Sequence, residues 1–325
     1  MTRGQQTTTT LSAGRGSYQC VTRARWLGLI ALILCAPAVD GKPAPAAFDG
    51  VVSIADGDPF TIIRRDTLLS GSRGVALIAG DLVETGPGAF LVVQAPEGTL
   101  IGLGPSTAVY FIERGKVATL FVLKGWVKAD VKAAPTRVLG ARLGIQGNQA
   151  VMLLYAGERS NAAFDEQGSI TIVLPDTAST PVTKEPGPNH FFLRQNRLDV
   201  VSQVSPSVEF VEKMPLAFRD PLPALPKFPG PVPPRELRAV TYSDIQAWLT
   251  IPREWRRGFI GRFRGRLKDS AFFAAMDEHR ALFPEWIPIL HPPPAPESEG
   301  STDEPRTESK PKPHKSQSQQ GDESR

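Results

Sequence analysis

Cysteine is nearly missing from this 325-residue chain: the two present, Cys20 and Cys35, both fall in the first 35 positions. Everything after them can carry neither disulfide stabilisation nor thiol chemistry. Histidine is scarce as well. His190, His279, His291 and His314 are spread along the carboxy-terminal half, and none stands at metal-ligand spacing from another His or Cys. No serine occupies a Gly-x-Ser-x-Gly elbow. These gaps leave no catalytic constellation, no cofactor site and no metal site to predict, and a non-enzymatic protein is expected.

Long apolar runs are also rare. The longest uncharged stretch of that kind, "WLGLIALILCAPAV" from Trp26 to Val39, follows Arg3, Arg15, Arg23 and Arg25 with no acid among them. Fourteen residues is short of the roughly 20 that span a bilayer. A basic leader, a short apolar run and the small residues Ala36 and Ala38 are the pattern of a secretory signal over residues 1–38, cleaved after Ala38. An uncleaved membrane anchor is the alternative. Cleavage would remove both cysteines and place the chain in the periplasm or outside the cell. The four arginines also account for the whole formal net charge of +4; beyond Ala38 basic and acidic residues balance. The high overall pI is thus no argument for nucleic acid.

What is abundant is punctuated β pattern. Between residues 49 and 175 come "VVSI", "FTII", "GVALI", "AFLVVQA", "TLIGL", "AVYFIE", "KVATLFVL", "GWVKADV", "AVMLLYA" and "SITIVL", each stopped by Gly, Pro, Asp or Ser. Runs of four to eight Val, Ile, Leu and Phe residues between such punctuators read as strands and turns. In "WVKADV", Val127, Ala129 and Val131 share one face, Lys128 and Asp130 the other. Asp165-Glu166, next to Gln167-Gly168, reads as a hairpin turn. "GLGPST", from Gly102 to Thr107, is glycine-rich like a phosphate loop, but Pro105 and the following "AVYF" predict another strand where a phosphate loop needs a helix. The spacing suits a sandwich, a barrel or a short solenoid.

Residues 39–48 are a linker, and 176–240 an extended arm with a few strands. Its core, "PLAFRDPLPALPKFPGPVPP", holds eight prolines between Pro215 and Pro234. It can be neither a helix interior nor a central strand. Leu216, Phe218, Leu222, Leu225 and Phe228 mark it as lying on the β domain. Residues 241–291 are helical: "SDIQ" offers Ser243 and Gln246 as a capping box, Pro252 and Asp269 start helices, and Trp255, Phe259, Phe263 and Leu267 recur every four residues. Residues 292–325 are polar and expected to be disordered. The sharpest surface feature is basic. Arg253, Arg256, Arg257, Arg262, Arg264, Arg266 and Lys268 face only Glu254 in their segment, and are candidates for contact with an anionic envelope component, a membrane surface or an acidic protein.

Gly80-Asp81 with Thr85, Gly86 and Gly88, then Glu97-Gly98-Thr99, Leu103-Gly104-Pro105 with Ser106 or Thr107, and Gly125-Trp126-Val127 together resemble the FecR domain of bacterial envelope proteins. The resemblance covers about a third of the chain, and "YSDIQAWL…FPEWIPILHP" looks like a segment that accompanies such domains. It implies a mainly β fold (a FecR-like solenoid, roll or sandwich followed by a small helical module) and a place on the periplasmic side of the envelope. FecR regulators of sigma factors keep a cytoplasmic helical domain before a membrane span, which residues 1–38 are too few to supply. Gly147-Asn148-Gln149 stands where the family often has Gly-Thr. The expected role is therefore a binding or scaffold module for another envelope component. A sensing and signal-relay module is the alternative, and an envelope hydrolase is a third.

Overall fold

The computed structural model describes residues 49–112, 117–175, 188–196, 198–227 and 230–293. The expected signal segment, both cysteines, the 39–48 linker, Phe228 and the polar tail from residue 294 lie outside the described residues. The chain is mainly antiparallel β, 41% strand and 24% helix, with a sheet curled into a half-barrel and short helices toward the carboxy terminus. Of the solenoid, roll and sandwich that strand spacing leaves open, the rolled sheet is what forms.

The strands run β1 (Asp49–Asp56), β2 (Phe60–Arg64), β3 (Thr67–Ser70), β4 (Ala76–Ile78), β5 (Leu82–Thr85), β6 (Phe90–Gln94), β7 (Leu100–Leu103) and β8 (Ala108–Ile112). The long β9 (Ala118–Asp130) follows, then β10 (Thr136–Gly140), β11 (Gly144–Gly147), β12 (Val151–Ala156) and β13 (Ser160–Gln167). Last come β14 (Ile170–Val173), β15 (Phe191–Gln195), β16 (Val201–Gln203) and β17 (Arg235–Ala239). Nearly every β-rich run of the sequence is a strand. The two runs "KVATLFVL" and "GWVKADV", however, are one.

That merger organises the roll. The first half of β9 pairs with β8, antiparallel, and with β10, parallel. From Gly125 onward it pairs with β12, and from Val127 with β7, both antiparallel. One strand therefore belongs to both parts of the sheet, and the change of partners falls at Gly125, where φ is +94°. A Cβ there would stand 2.3 Å from Thr107 Oγ1 and 2.6 Å from Thr107 Cα. Only glycine supplies both the left-handed backbone and the close approach, so the strand bends without breaking its ladder.

Alternation along β9 then divides the apolar residues among three cores. Leu120, Val122, Val127 and Ala129 enter the main core inside the roll, with Val52, Ile62, Val83, Val93, Ile101 and Phe111. Phe121 points the other way, into a second core beneath the helices, beside Ile63, Leu82, Ile112 and Leu139. Trp126 faces a third, with Leu153 and Phe191. A sheet curled round one core thus keeps apolar patches on its outer surface, and each must be covered.

Helices do the covering. In the arm, α1 (Val208–Lys213) and α2 (Leu216–Arg219) bring Phe210, Met214 and Phe218 over the third core. Phe218 is 1% exposed, as expected of an arm lying on the domain, but Leu216 is 75% exposed. The arm is not extended throughout, because the residues between Pro215 and Pro221 are free to make the helical turn α2. Further on, α3 (Tyr242–Ile245), α4 (Arg253–Phe263), α5 (Ser270–Glu278) and α6 (Ile287–Leu290) place Trp248, Phe259, Phe263, Phe272, Met276 and Trp286 on the second core. Burying each such side chain is worth roughly 1.5–3 kcal/mol. Asp269 caps α5 as predicted, accepting from the amides of Ala271 and Phe272. The expected Ser243–Gln246 box is displaced: the N-cap of α3 is Thr241, whose amide donates to the Asp244 carboxylate at 2.7 Å. The chain stays extended through β17 and Val240, so the first residue free to cap is Thr241, and an aspartate three residues on completes the box. No helix among the described residues is long and apolar enough to cross a membrane.

Gly125→Ala is expected to lose at least ~2 kcal/mol in urea unfolding, from left-handed strain plus the clash with Thr107. Gly258→Ala, where a Cβ would meet open space on α4, is the control and should gain about 0.5–1 kcal/mol.

Candidate functional site

The turn residues that carry the FecR resemblance are spent on the fold. Asp81, fully buried, accepts from Arg64 Nε at 2.9 Å, Arg64 Nη2 at 2.7 Å and the Ile78 amide at 3.0 Å. The Thr85 hydroxyl donates to the Gly104 carbonyl at 2.7 Å and accepts from the Thr107 amide at 2.8 Å. Thr107 Oγ1 in turn accepts from the Trp126 amide at 2.9 Å, and the Gly88 amide donates to Asp58 at 2.7 Å. "GLGPST" leads into β8, as Pro105 predicts. Its Gly102 is a point of close approach: a Cβ would lie 2.8 Å from Leu222 and 2.9 Å from Phe218, so the glycine makes room for the arm.

One reading of charged residues needs correction, and one residue gains an unforeseen place. Lys128 lies on the face of β9 opposite Val127 and Ala129, as the alternation predicts, and that face is covered. Its side chain is wholly buried beneath the arm, where Nζ donates to the Phe218 and Asp220 carbonyls at 3.0 and 2.9 Å and pairs with Glu166 at 2.7 Å. The arm's own backbone is what removes it from water. Asp165-Glu166 is not a hairpin turn. Both residues belong to β13, at a bulge where the pairing with β12 shifts between Val151 and Met152. The turn comes two residues later than expected, at Gly168 with φ +90°.

Asp165 is the exceptional titratable group. Its side chain is fully buried, and neither carboxylate oxygen accepts a hydrogen bond. Burial raises its pKa to about 6, partly opposed by the charge of His190. Nearby, between the β9–β12–β13 ends and the arm, opens a cleft of about 540 Å³ lined by Asp130, Lys132, Gln149, Glu166 and Leu222. Its charges are matched: Lys132 pairs with Asp130 at 2.7 Å, and Glu166 with the buried Lys128. Among the described residues no group of three or more His, Cys, Asp or Glu side chains could hold a metal ion.

The seven basic residues from Arg253 to Lys268 divide into two sets. Three turn inward. Arg262 donates from Nε to the Arg65 carbonyl, from Nη1 to Gly80 and from Nη2 to Ile63, so one guanidinium ties α4 to the turns after β2 and β4. Burial pulls its pKa down to about 10, partly opposed by Tyr110, Asp81 and Asp66, and it stays charged at neutral pH. Arg256 pairs with Glu285 at 2.7 Å and lies over the Phe283 ring. Arg266 donates to the Val240 carbonyl at 3.0 Å and to Asp269 at 2.8 Å.

The other four, Arg253, Arg257, Arg264 and Lys268, are exposed, with no side-chain hydrogen bond or ion pair among the described residues. At about 100° per residue, Arg253, Arg257 and Arg264 fall within about 40° of one another round the helix axis, opposite Phe259. They form a ridge on the face turned away from the sheet. The helical repeat of aromatics predicted a solvent face; it did not show that Arg262 would reach past that repeat into the turns of the β body.

No protein-family model and no curated protein matches the chain. Two solved structures of a candidate anti-sigma factor from Parabacteroides distasonis ATCC 8503, at 1.65 and 2.50 Å resolution, are similar to it. Each has 14% sequence identity and a TM-score of 0.33, over 38% of this chain and 59% of that one. The chain thus spans less than two thirds of the length of the structures it matches.

Arg262→Met should destabilise the protein by about 3 kcal/mol, because three carbonyls lose their donor. Arg262→Lys should recover little, since an ammonium cannot reproduce the planar fork; chemical denaturation of both variants checks this. Asp165 sets a pH dependence of the opposite sense to an ion-paired carboxylate. Between about pH 4 and 6 the folded chain keeps a proton that the unfolded chain has released, so stability falls as pH rises through that window. Asp165→Asn should flatten the slope and add about 2–3 kcal/mol at pH 7, read from Tm against pH.

Proposed function

We propose that this chain is a non-enzymatic, exported envelope protein whose FecR-like β body is a scaffold, and that it binds another envelope component through the exposed side of its helical module. The observation that carries the reading is the division of the basic segment. Arg256, Arg262 and Arg266 hold the module on the body, while Arg253, Arg257, Arg264 and Lys268 project from it without partners. A folded domain has no need to gather unneutralised charges on one ridge, as Arg253, Arg257 and Arg264 are gathered, because like charges repel. Support for the scaffold role comes from Asp81, Thr85 and Thr107, whose polar atoms are engaged by the protein's own backbone and side chains. Export and a periplasmic address rest on the basic leader and short apolar run of residues 1–38.

The second reading is a periplasmic sensing and relay module of the FecR regulator type; the Parabacteroides distasonis structures are described as those of an anti-sigma factor. It requires an anchor that stays in the membrane.

Crosslinking in intact envelopes followed by affinity recovery is expected to retain a specific component, lost when Arg253, Arg257, Arg264 and Lys268 are all changed to Glu. The recovered protein should have the mass of a chain beginning at Val39. Recovery of nothing above background overturns the binding reading, and an unprocessed amino terminus in the membrane fraction favours the relay.

A further inference from the structure

The segment that carries the exposed charges has an unusual composition. Between Arg253 and Lys268 stand Gly258, Gly261 and Gly265, and at each of them a Cβ would meet nothing within 4 Å. Intramolecular packing therefore does not require these glycines, although each lowers helix stability relative to alanine. The segment's apolar residues, Trp255, Ile260 and Leu267, are partly buried against the module's own core. The solvent side of the segment therefore carries a cationic edge beside bare backbone, with Gly258 and Gly261 about 120° and 60° round the axis from the middle of the arginines, over a length of about 25 Å.

A protein interface of useful affinity is organised round anchors, enriched in Trp, Tyr and Arg, that fill pockets on the partner and are fully desolvated there. This ridge presents arginines with no exposed aromatic side chain beside them. A fluid anionic surface makes no such demand, because its headgroups rearrange to meet the charges and need only a smooth cationic face that can come close. Glu254 is the one acid in the segment, and it sits at the start of α4, about 100° round the axis from Arg253. The inward pairs, Arg256 with Glu285 and Arg266 with Asp269, keep the neighbouring acids neutralised.

From these features we infer that the ridge formed by Arg253, Arg257 and Arg264, with Lys268 beyond its end, docks the protein, peripherally and reversibly, on the anionic headgroups of a phospholipid bilayer. This deepens the binding reading above and rests on it: the envelope component is a lipid surface. No apolar wedge enters the acyl layer, so the association is electrostatic throughout and gives way as salt shortens the screening length.

The test is co-sedimentation of the purified full chain with vesicles of phosphatidylcholine alone or of phosphatidylcholine mixed with phosphatidylglycerol. Binding is expected only to the mixed vesicles, falling about fivefold for each of the four residues changed to Gln and vanishing when all four become Glu. It should also be lost at ~1 M salt, where the screening length is about 3 Å. Arg280→Glu, on an exposed residue paired with Asp277, should bind like the parent. Unchanged circular dichroism and Tm of the quadruple variant separate lost docking from lost folding.

Equal binding to neutral vesicles, binding unaffected by the quadruple change, or binding to lipopolysaccharide aggregates without binding to phosphatidylglycerol overturns the inference. If vesicles fail while envelope crosslinking still recovers a protein through the same four residues, the lipid assignment falls and the binding module stands.

Discussion

A sheet that curls round a single core solves the problem of its inner face and creates another on its outer one. Strand side chains alternate, so a strand buried on both sides must have something laid over it. In this protein the demand is sharpest along β9, which sends Leu120, Val122 and Val127 inward and Phe121 and Trp126 outward, to two different covers. The arm answers one and the helical module the other. Each cover carries few strand-type hydrogen bonds of its own, and each is held by a buried cation donating to backbone carbonyls.

Those two cations, Lys128 and Arg262, work in opposite directions. Lys128 rises from the sheet and takes the carbonyls of Phe218 and Asp220, fixing the arm from below. Arg262 descends from α4 and takes carbonyls at Ile63, Arg65 and Gly80, fixing the module from above. Both sit where apolar packing alone would let a cover slide. Aromatic contacts set how much surface is buried, but they are weakly directional; a cation shared between carbonyls of two segments sets the position. Asp165 is the counter-example. Its oxygens, buried in β13, accept no hydrogen bond among the described residues, and it subtracts from stability at neutral pH.

This arrangement also sorts the charges. Arginines drawn into the frame are neutralised by carbonyls or acids within reach, and those on the far side of α4 are left to solvent. Composition alone could not make that division. Seven basic residues in sixteen looked like one patch, whereas the fold turns them into three anchors and one ridge. The same applies to the glycines. Gly102 and Gly125 are required by what approaches them, from the arm and from Thr107, while Gly258, Gly261 and Gly265 face open space.

The strands, the chain's β class, the arm's place on the body, the start of α5 at Asp269 and the buried aromatic repeat of α4 were all legible in the linear pattern. These depend on neighbours a few residues away, where periodicity and turn chemistry act. The fusion of two runs into β9, the strand position of Asp165-Glu166, the burial of Lys128 and the inward turn of Arg262 were not. Each depends on a partner far along the chain: Arg262 meets Ile63, and Lys128 meets Phe218. A cation is written in the sequence as a charge, but whether it ends in water or among carbonyls is decided by which backbone the folded chain brings over it.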